Sequence, residues 1–214
     1  MAVVLHGPAY STYARTARLV LEEKGIPYEL REVDILKGEG QQPAHLARHP
    51  FGKVPALEHD GFALFESFAI CRYLDEAFPG PKLQPEDAKR RARMTQICGV
   101  IDSYGYGAMI GKVFWQHAIV PMQGGTPDQG AAAEGLAIAE RVLDVVEGLA
   151  GEGGEFLCGG GRISLADLFL APVMEYFAMT GPGQGALGRR TRLAGWWQRM
   201  SQRPSVAKTR PQLG

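Results

Sequence analysis

Cysteine is scarce in this sequence: Cys71, Cys98 and Cys158 are the only three in a chain of 214 residues. Three thiols cannot all pair. No two stand at the short spacing of a metal or redox motif, which argues against both a disulfide framework and a Cys-x-x-Cys centre. The simplest reading is buried thiols in a reducing compartment. Net charge is also missing: Lys plus Arg and Asp plus Glu are equal at 23 each. A formal charge of zero gives no electrostatic reason to expect nucleic acid or an anionic membrane as partner. No apolar run approaches the length needed to span a bilayer. The opening residues MAVVLHGPAYS lack a basic leader followed by a long apolar stretch, so no signal peptide is expected and a cytoplasmic location follows by default. There is no internal repeat and no metal-ligand cluster, so no metal is expected.

What the chain does have is glycine, 28 residues of it. The clusters Gly151-Glu-Gly-Gly and Gly159-Gly-Gly read as turns. Gly105, Gly107 and Gly111 lie in a stretch that otherwise looks helical, where each Gly costs about 1 kcal/mol against Ala. Close helix packing is the expected reason for them.

The pattern of apolar residues and punctuation divides the chain in two. Residues 2–6 form a short apolar run ended by Gly7-Pro8, a buried strand followed by a loop. Ser11-Thr12 offers an N-cap to a helix over 14–24. Ala14, Ala17, Val20 and Leu21 share one face of it, and Arg15, Arg18, Glu22 and Glu23 fall mostly elsewhere. Gly25 stops the helix, and Pro27 to Val33 reads as a second strand, parallel to the first. Residues 43–48 suit one short helical turn. Phe51-Gly-Lys-Val-Pro-Ala-Leu is a loop entering a third strand. His59-Asp-Gly61 has hairpin chemistry and leads to a fourth strand, Phe62 to Phe65. A helix then runs from about Ser67 to Ala77. Strand-helix-strand followed by strand-strand-helix is the order of a thioredoxin-like sheet. Phe78-Pro79-Gly80-Pro81 marks a linker. The remainder reads as helix over about 88–120, 128–150, 164–178 and 190–201. The expected architecture is an α/β thioredoxin-like domain over 1–80 and an all-α domain over 88–214.

Three places carry chemistry. Ser11-Thr12 sits at the mouth of the first helix, where backbone N–H groups and the helix dipole favour an anion; a plain helix cap is the competing reading. Val54-Pro55 lies between a loop and a strand. If that bond is cis, it presents the Val54 backbone for pairing with another peptide; an ordinary trans proline is the alternative. At Phe65-Glu66-Ser67, Ser67 and its neighbouring N–H groups suit a carboxylate and Glu66 an ammonium, or the two simply form a cap. Ser164 and Asp167 form a capping box ahead of an apolar helix, a folding element without a catalytic role. Trp196-Trp197 reads as core.

Together these segments resemble a known family. Pro50-Phe-Gly-Lys-Val-Pro-Ala-Leu and Leu64-Phe-Glu-Ser-Phe-Ala-Ile-Cys-Arg-Tyr-Leu are similar to the glutathione-site segment of cytosolic glutathione transferases. Gly7-Pro-Ala-Tyr-Ser-Thr is similar to the first-helix entrance of the serine-type members. Pro121-Met-Gln-Gly-Gly-Thr-Pro-Asp-Gln129 and Val142-Leu-Asp-Val-Val-Glu147 resemble the phi class. Ser164-Leu-Ala-Asp167, Trp196-Trp197 and Arg203-Pro-Ser-Val206 resemble the family's helical half. The resemblance covers nearly the whole chain.

It implies that glutathione is a co-substrate whose thiolate attacks a hydrophobic electrophile, with no metal, in a homodimer. Carried over, Ser11 donates a hydrogen bond to the sulfur. Val54 pairs with the cysteinyl backbone, Pro55 holds it, and Glu66 and Ser67 take the γ-glutamyl end. Lys53 and Gln41 contact the glycyl side. The phi pattern often has a His-Lys pair where Gly40-Gln41 stand, so a charge is lost there. Between the domains, Tyr10, Thr12, Ile35, Phe114, His117 and Ala118 are candidate walls for the second substrate. Asp102 is a candidate to reach a partner's γ-glutamyl amine, and Phe51 a candidate dimer plug.

Three other readings stay open. Thiol–disulfide or deglutathionylating chemistry needs a cysteine near the first-helix mouth, and residues 7–18 contain none. Glutathione-dependent isomerase, dehalogenase or peroxidase activity shares the site. A non-catalytic ligand binder shares the fold.

Overall fold

A computed structural model describes residues 3–151 and 154–211. The chain forms two compact units, Met1–Leu83 together with Pro204–Gly214, and Gln84–Arg203. Of the expected elements, Ala2 of the first strand and Glu152 and Gly153 of the first glycine turn lie outside the described residues.

The first unit begins with β1 (Val3–His6), α1 (Thr12–Lys24) and β2 (Tyr28–Arg31). The one-turn helix α2 (Pro43–Leu46) follows, then β3 (Ala56–His59), β4 (Phe62–Phe65) and α3 (Ser67–Ala77). The sheet order is β2-β1-β3-β4, with β1 parallel to β2 and antiparallel to β3. The hairpin between β3 and β4 turns at Asp60 (φ 49°) and Gly61 (φ 81°), the pair of positive φ angles that a type I′ turn requires. Helix α1 starts where Ser11 caps it and stops at Gly25 (φ 66°). Its buried face holds Ala14, Ala17, Leu19, Val20 and Leu21.

A buried ion pair closes this unit. The Lys24 ammonium, at the end of α1, donates to the Asp75 carboxylate and to the carbonyls of Asp75 and Pro81, each at 3.1 Å. Asp75 also accepts from the Leu83 N–H at 2.9 Å. The pair therefore ties the ends of α1 and α3 to the residues of the expected linker.

The second unit is helical, as expected. Helix α4 (Ala88–Val100) is capped by Asp87. It runs on through a π-helical stretch Ile101–Gly105, a short α5 (Tyr106–Ala108), a second π-helical stretch Met109–Ile119 and α6 (Val120–Met122). Then come α7 (Gln129–Leu149), α8 (Leu165–Ala178), α9 (Gly181–Gly188) and α10 (Thr191–Met200). Among the described residues no helix is long and apolar enough to cross a membrane.

Close packing does not account for the mid-helix glycines. A methyl added at Gly107 or Gly111 meets nothing within 4 Å, and at Gly105 it makes only an ordinary contact with Val142 at 3.5 Å. What distinguishes this stretch is the wide π turn, a departure that weak helix formers tolerate. Helix α9 was not expected, because four of its eight residues are glycine. It forms on a Thr180 cap, whose hydroxyl accepts from the Gly183 N–H at 3.0 Å. Gly183 lies so near the Phe177 carbonyl that a side chain there would clash with it.

The last described helix, α11 (Pro204–Lys208), belongs to the first unit, whereas the sequence pattern put the tail with the helical domain. The cause is Arg15. The pattern put it off the apolar face of α1, yet it is fully buried. Its guanidinium donates to the Val206 carbonyl at 3.1 Å and the Thr209 hydroxyl at 3.3 Å. Lys208 pairs with Glu22 at 2.7 Å, and the Ser205 hydroxyl donates to Glu23.

Asp167 organises the second unit. Its carboxylate accepts from the Leu157 N–H (2.9 Å), the Ser164 N–H (2.8 Å), the Ser164 hydroxyl (2.7 Å) and the Trp196 indole N–H (2.8 Å). Burial pushes its pKa up, and these four donors oppose that shift. Replacing it with alanine leaves buried donors unsatisfied on α8, α10 and the 157 loop. Asp167→Ala is therefore expected to lose at least about 3 kcal/mol of stability in urea unfolding; a loss below about 1 kcal/mol would contradict this role.

Candidate functional site

The register of the sheet gathers the three expected segments. His6 on β1 pairs with Ala56 on β3, and Ala56 pairs with Phe65 on β4. The Gly7–Ser11 loop follows His6, Val54-Pro55 precedes Ala56, and Glu66-Ser67 follows Phe65. Neighbouring strands lie about 4.8 Å apart, so three adjacent strands span roughly 10 Å. One peptide-sized molecule can touch all three.

Ser11 is half-buried at the N-terminus of α1. Its Oγ accepts from the Ala14 N–H at 3.3 Å. The cap reading is thus correct, and it does not exclude the other: an oxygen that accepts from the helix still has its own proton to donate outward. Gly7 permits the close approach of this loop to its neighbours. With φ 154°, a Cβ there would stand 3.1 Å from the Ala14 Cβ and 3.3 Å from the Val54 Cβ.

The Val54-Pro55 peptide is cis. Both residues are buried. Among the described residues the Val54 backbone makes no hydrogen bond to another backbone group, so its N–H and C=O are available to an added peptide. Glu66 stands at the N-cap of α3 with φ 71° and ψ 114°, and its side chain does not cap the helix. A non-glycine residue in such a conformation is a recurrent mark of functional sites. The exposed carboxylate of Glu66 and the half-buried Ser67 at the first helical position thus lie beside the Val54 loop.

Gly40 and Gln41 follow from packing. Gly40 is buried, and a methyl on it would clash with the Gly52 carbonyl oxygen. Gly52 has φ 63°, and a methyl on it would run into the Gln41 side-chain amide. No side chain fits at position 40, and Gln41 lies exposed across the loop next to Lys53.

Two histidines that the motif reading passed over support the same loop. His45 and His49 are each 3% exposed, with rings stacked at 6.3 Å between centroids. The His45 Nε2 is 2.7 Å from the Lys53 carbonyl oxygen. The His49 ring lies 4.9 Å from that of Phe65. Burial holds the pKa of His49 down, against the pull of the nearby Glu66 carboxylate. The available signal was the i, i+4 spacing of the two residues.

The expected second-substrate residues differ in character. In the first unit, Thr12 is 5% exposed and its carbonyl accepts from the Thr16 hydroxyl. Tyr10 is half-buried with its hydroxyl 3.5 Å from Asp34, and burial raises its pKa, with the Asp34 carboxylate acting the same way. Ile35 is exposed. In the second unit, Phe114 is buried with its ring tilted against that of Tyr176 at 4.6 Å, whereas His117 is exposed and Ala118 half-buried on the π-helical stretch. Tyr10, Ile35, His117 and Ala118 therefore have surface to offer a ligand, and Thr12 and Phe114 have little.

Cysteine chemistry has no support. All three thiols are buried; burial raises the Cys71 pKa strongly and pushes Cys158 up to about 11.

Comparison with known proteins identifies the family. The profile of the glutathione S-transferase N-terminal domain matches residues 5–82, and that of the C-terminal domain matches residues 129–199. The chain belongs to the glutathione S-transferase family. Glutathione S-transferase F13 of Arabidopsis thaliana is 32% identical over 100% of the chain and 97% of the relative. Glutathione S-transferase 1 of Zea mays is 34% identical over 95% and 94%. Among solved structures of the family, glutathione transferase F7 from Populus trichocarpa superposes with a TM-score of 0.85 at 32% identity, covering 97% of each chain. A glutathione S-transferase-I bound with lactoylglutathione also reaches a TM-score of 0.85, at 32% identity and with 97% of each chain covered. The thioredoxin-like sheet followed by a helical unit is the transferase architecture, and the curated relatives are of the plant phi class.

The packing at Gly40 makes a specific demand on this transferase. Gly40→Ala is expected to cost about 1–3 kcal/mol, read as a lowered urea midpoint. An unchanged midpoint would show that the loop yields freely.

Proposed function

We propose that this chain conjugates the glutathione thiolate to hydrophobic electrophiles, with the Ser11 hydroxyl stabilising the sulfur anion. The observation that carries the reading is the Ser11 geometry: its oxygen is held by the Ala14 N–H at the positive end of α1, so its proton is left to donate. A serine hydroxyl is a poor base. Its role is to stabilise charge. A free thiol titrates near ~8.5, and lowering it by roughly two units takes ~2.7 kcal/mol. One or two hydrogen bonds to a charged acceptor, at about 1.5–3 kcal/mol each, are enough. The thiol proton leaves to solvent, the sulfur lone pair forms the new bond to carbon, and the leaving group departs with its electron pair.

Val54 then pairs with the cysteinyl backbone and Pro55 fixes its orientation. Glu66 takes the γ-glutamyl ammonium and Ser67 the carboxylate. Gln41 and Lys53 meet the glycyl end. Tyr10 and Ile35 of the first unit, and His117 and Ala118 of the second, are the side chains we assign to the electrophile, each having exposed surface that Thr12 and Phe114 lack. Phe51, 69% exposed in its loop, is the residue we assign to a homodimer contact, because an aromatic ring so exposed gains from a cover. A cytoplasmic detoxification role fits these assignments.

The test is conjugation of glutathione to chlorodinitrobenzene by wild type and Ser11→Ala. The variant is expected to lose about 100-fold in kcat/KM, and its pH profile to move toward the free thiol value of ~8.5. Full activity in Ser11→Ala would remove the residue from its role. Retention on immobilised glutathione without turnover would favour a binding protein.

A further inference from the structure

We infer that His45 is a positioning residue for glutathione binding, acting through the carbonyl of Lys53. The inference rests on the functional reading above. A carbonyl oxygen only accepts, so the His45 Nε2 at 2.7 Å from the Lys53 oxygen carries the proton. The other ring nitrogen, Nδ1, is buried and has no hydrogen-bond partner. The hydrogen bond through Nε2 to Lys53 is thus the ring's one polar contact.

This bond sits at the point where the loop's backbone must be aimed. Lys53 directly precedes Val54, whose backbone N–H and C=O are the groups offered to an added peptide and whose peptide bond to Pro55 is cis. Tying the Lys53 carbonyl inward restricts rotation of the Lys53–Val54 peptide and leaves the Lys53 side chain pointing outward, exposed. Other contacts hold the same loop: the Gly52 N–H donates to the His49 carbonyl at 2.8 Å, and the Phe51 ring lies 6.3 Å from those of His49 and Phe65. The His45 bond is the one that acts directly on the Lys53 carbonyl. The stack on His49, which itself rests on Phe65 beside Glu66, links the same support to the segment assigned to the γ-glutamyl end. His45 is thus placed to affect binding of the peptide without touching sulfur, electrophile or leaving group.

The expected signature is a split between affinity and turnover. His45→Leu removes the donor and keeps the bulk. Its KM for glutathione should rise about fivefold or more, the effect of one lost hydrogen bond. Its kcat at saturating glutathione should stay within about twofold of wild type. His45→Gln carries an amide N–H that reaches the Nε2 position and should recover most of the affinity. His45→Asn, polar but too short, should not. If His45→Leu does not fold, the Gln and Asn pair carries the comparison, with thermal melting recorded for each. Equal glutathione KM in folded Gln and Asn variants overturns the inference, as does a loss confined to kcat. Wild type that neither binds nor conjugates glutathione overturns the functional reading, and the inference with it. Wild type that binds normally, with a His45→Leu variant that binds equally well, overturns the inference alone.

Discussion

One row of strand pairing, His6 with Ala56 and Ala56 with Phe65, is the constraint on which the site depends. Sheet register admits no partial error: a slip of one residue sends every side chain to the opposite face. The buried faces of β1 and β3, with Val3, Leu5, Ala56 and Leu57 almost fully enclosed, therefore lock the row in place. The helix mouth, the cis-proline loop and the N-terminus of α3 are brought together as a consequence. Hydrophobic burial within the unit thus sets the spacing of polar groups at its edge. The binding chemistry needs no long-range relay, only a sheet that cannot shift.

Local packing adds a second layer. The glycines of this region act through space as well as through backbone freedom. Gly7 lets the helix mouth approach Val54, and Gly40 lets one loop cross the Gly52 carbonyl. Position 40 holds no side chain because one would meet the Gly52 carbonyl oxygen, in the loop that carries Lys53. The buried histidine pair beneath it supplies hydrogen bonding and ring packing that the small residues above cannot.

Much of this was legible in the sequence, for reasons that differ from place to place. Gly7-Pro8, Gly25 and His59-Asp-Gly61 are local punctuation, and local rules suffice to read strand, helix and hairpin from them. The three site segments announced themselves by composition and order, and a family resemblance over nearly the whole chain joined them. Arg15 was misread because its partners, Val206 and Thr209, lie about 190 residues away; helix periodicity has no access to such a contact. The π-helical stretches were hidden because the mid-helix glycines suggested close packing. Helix α9 was hidden because propensity argues against a half-glycine helix, whereas the Thr180 cap, the fit of Gly183 against Phe177 and the burial of Ala186 and Leu187 stabilise it. His45 and His49 were passed over because two histidines on one turn show no chemistry until the Lys53 carbonyl is seen against the ring.

The most direct measurement is a crystal structure with glutathione bound. The account predicts the sulfur within about 3.5 Å of the Ser11 Oγ, a hydrogen-bond contact with a large soft acceptor, and the cysteinyl backbone paired with Val54. A tripeptide bound with its sulfur directed away from that hydroxyl, or seated elsewhere in the molecule, would contradict it.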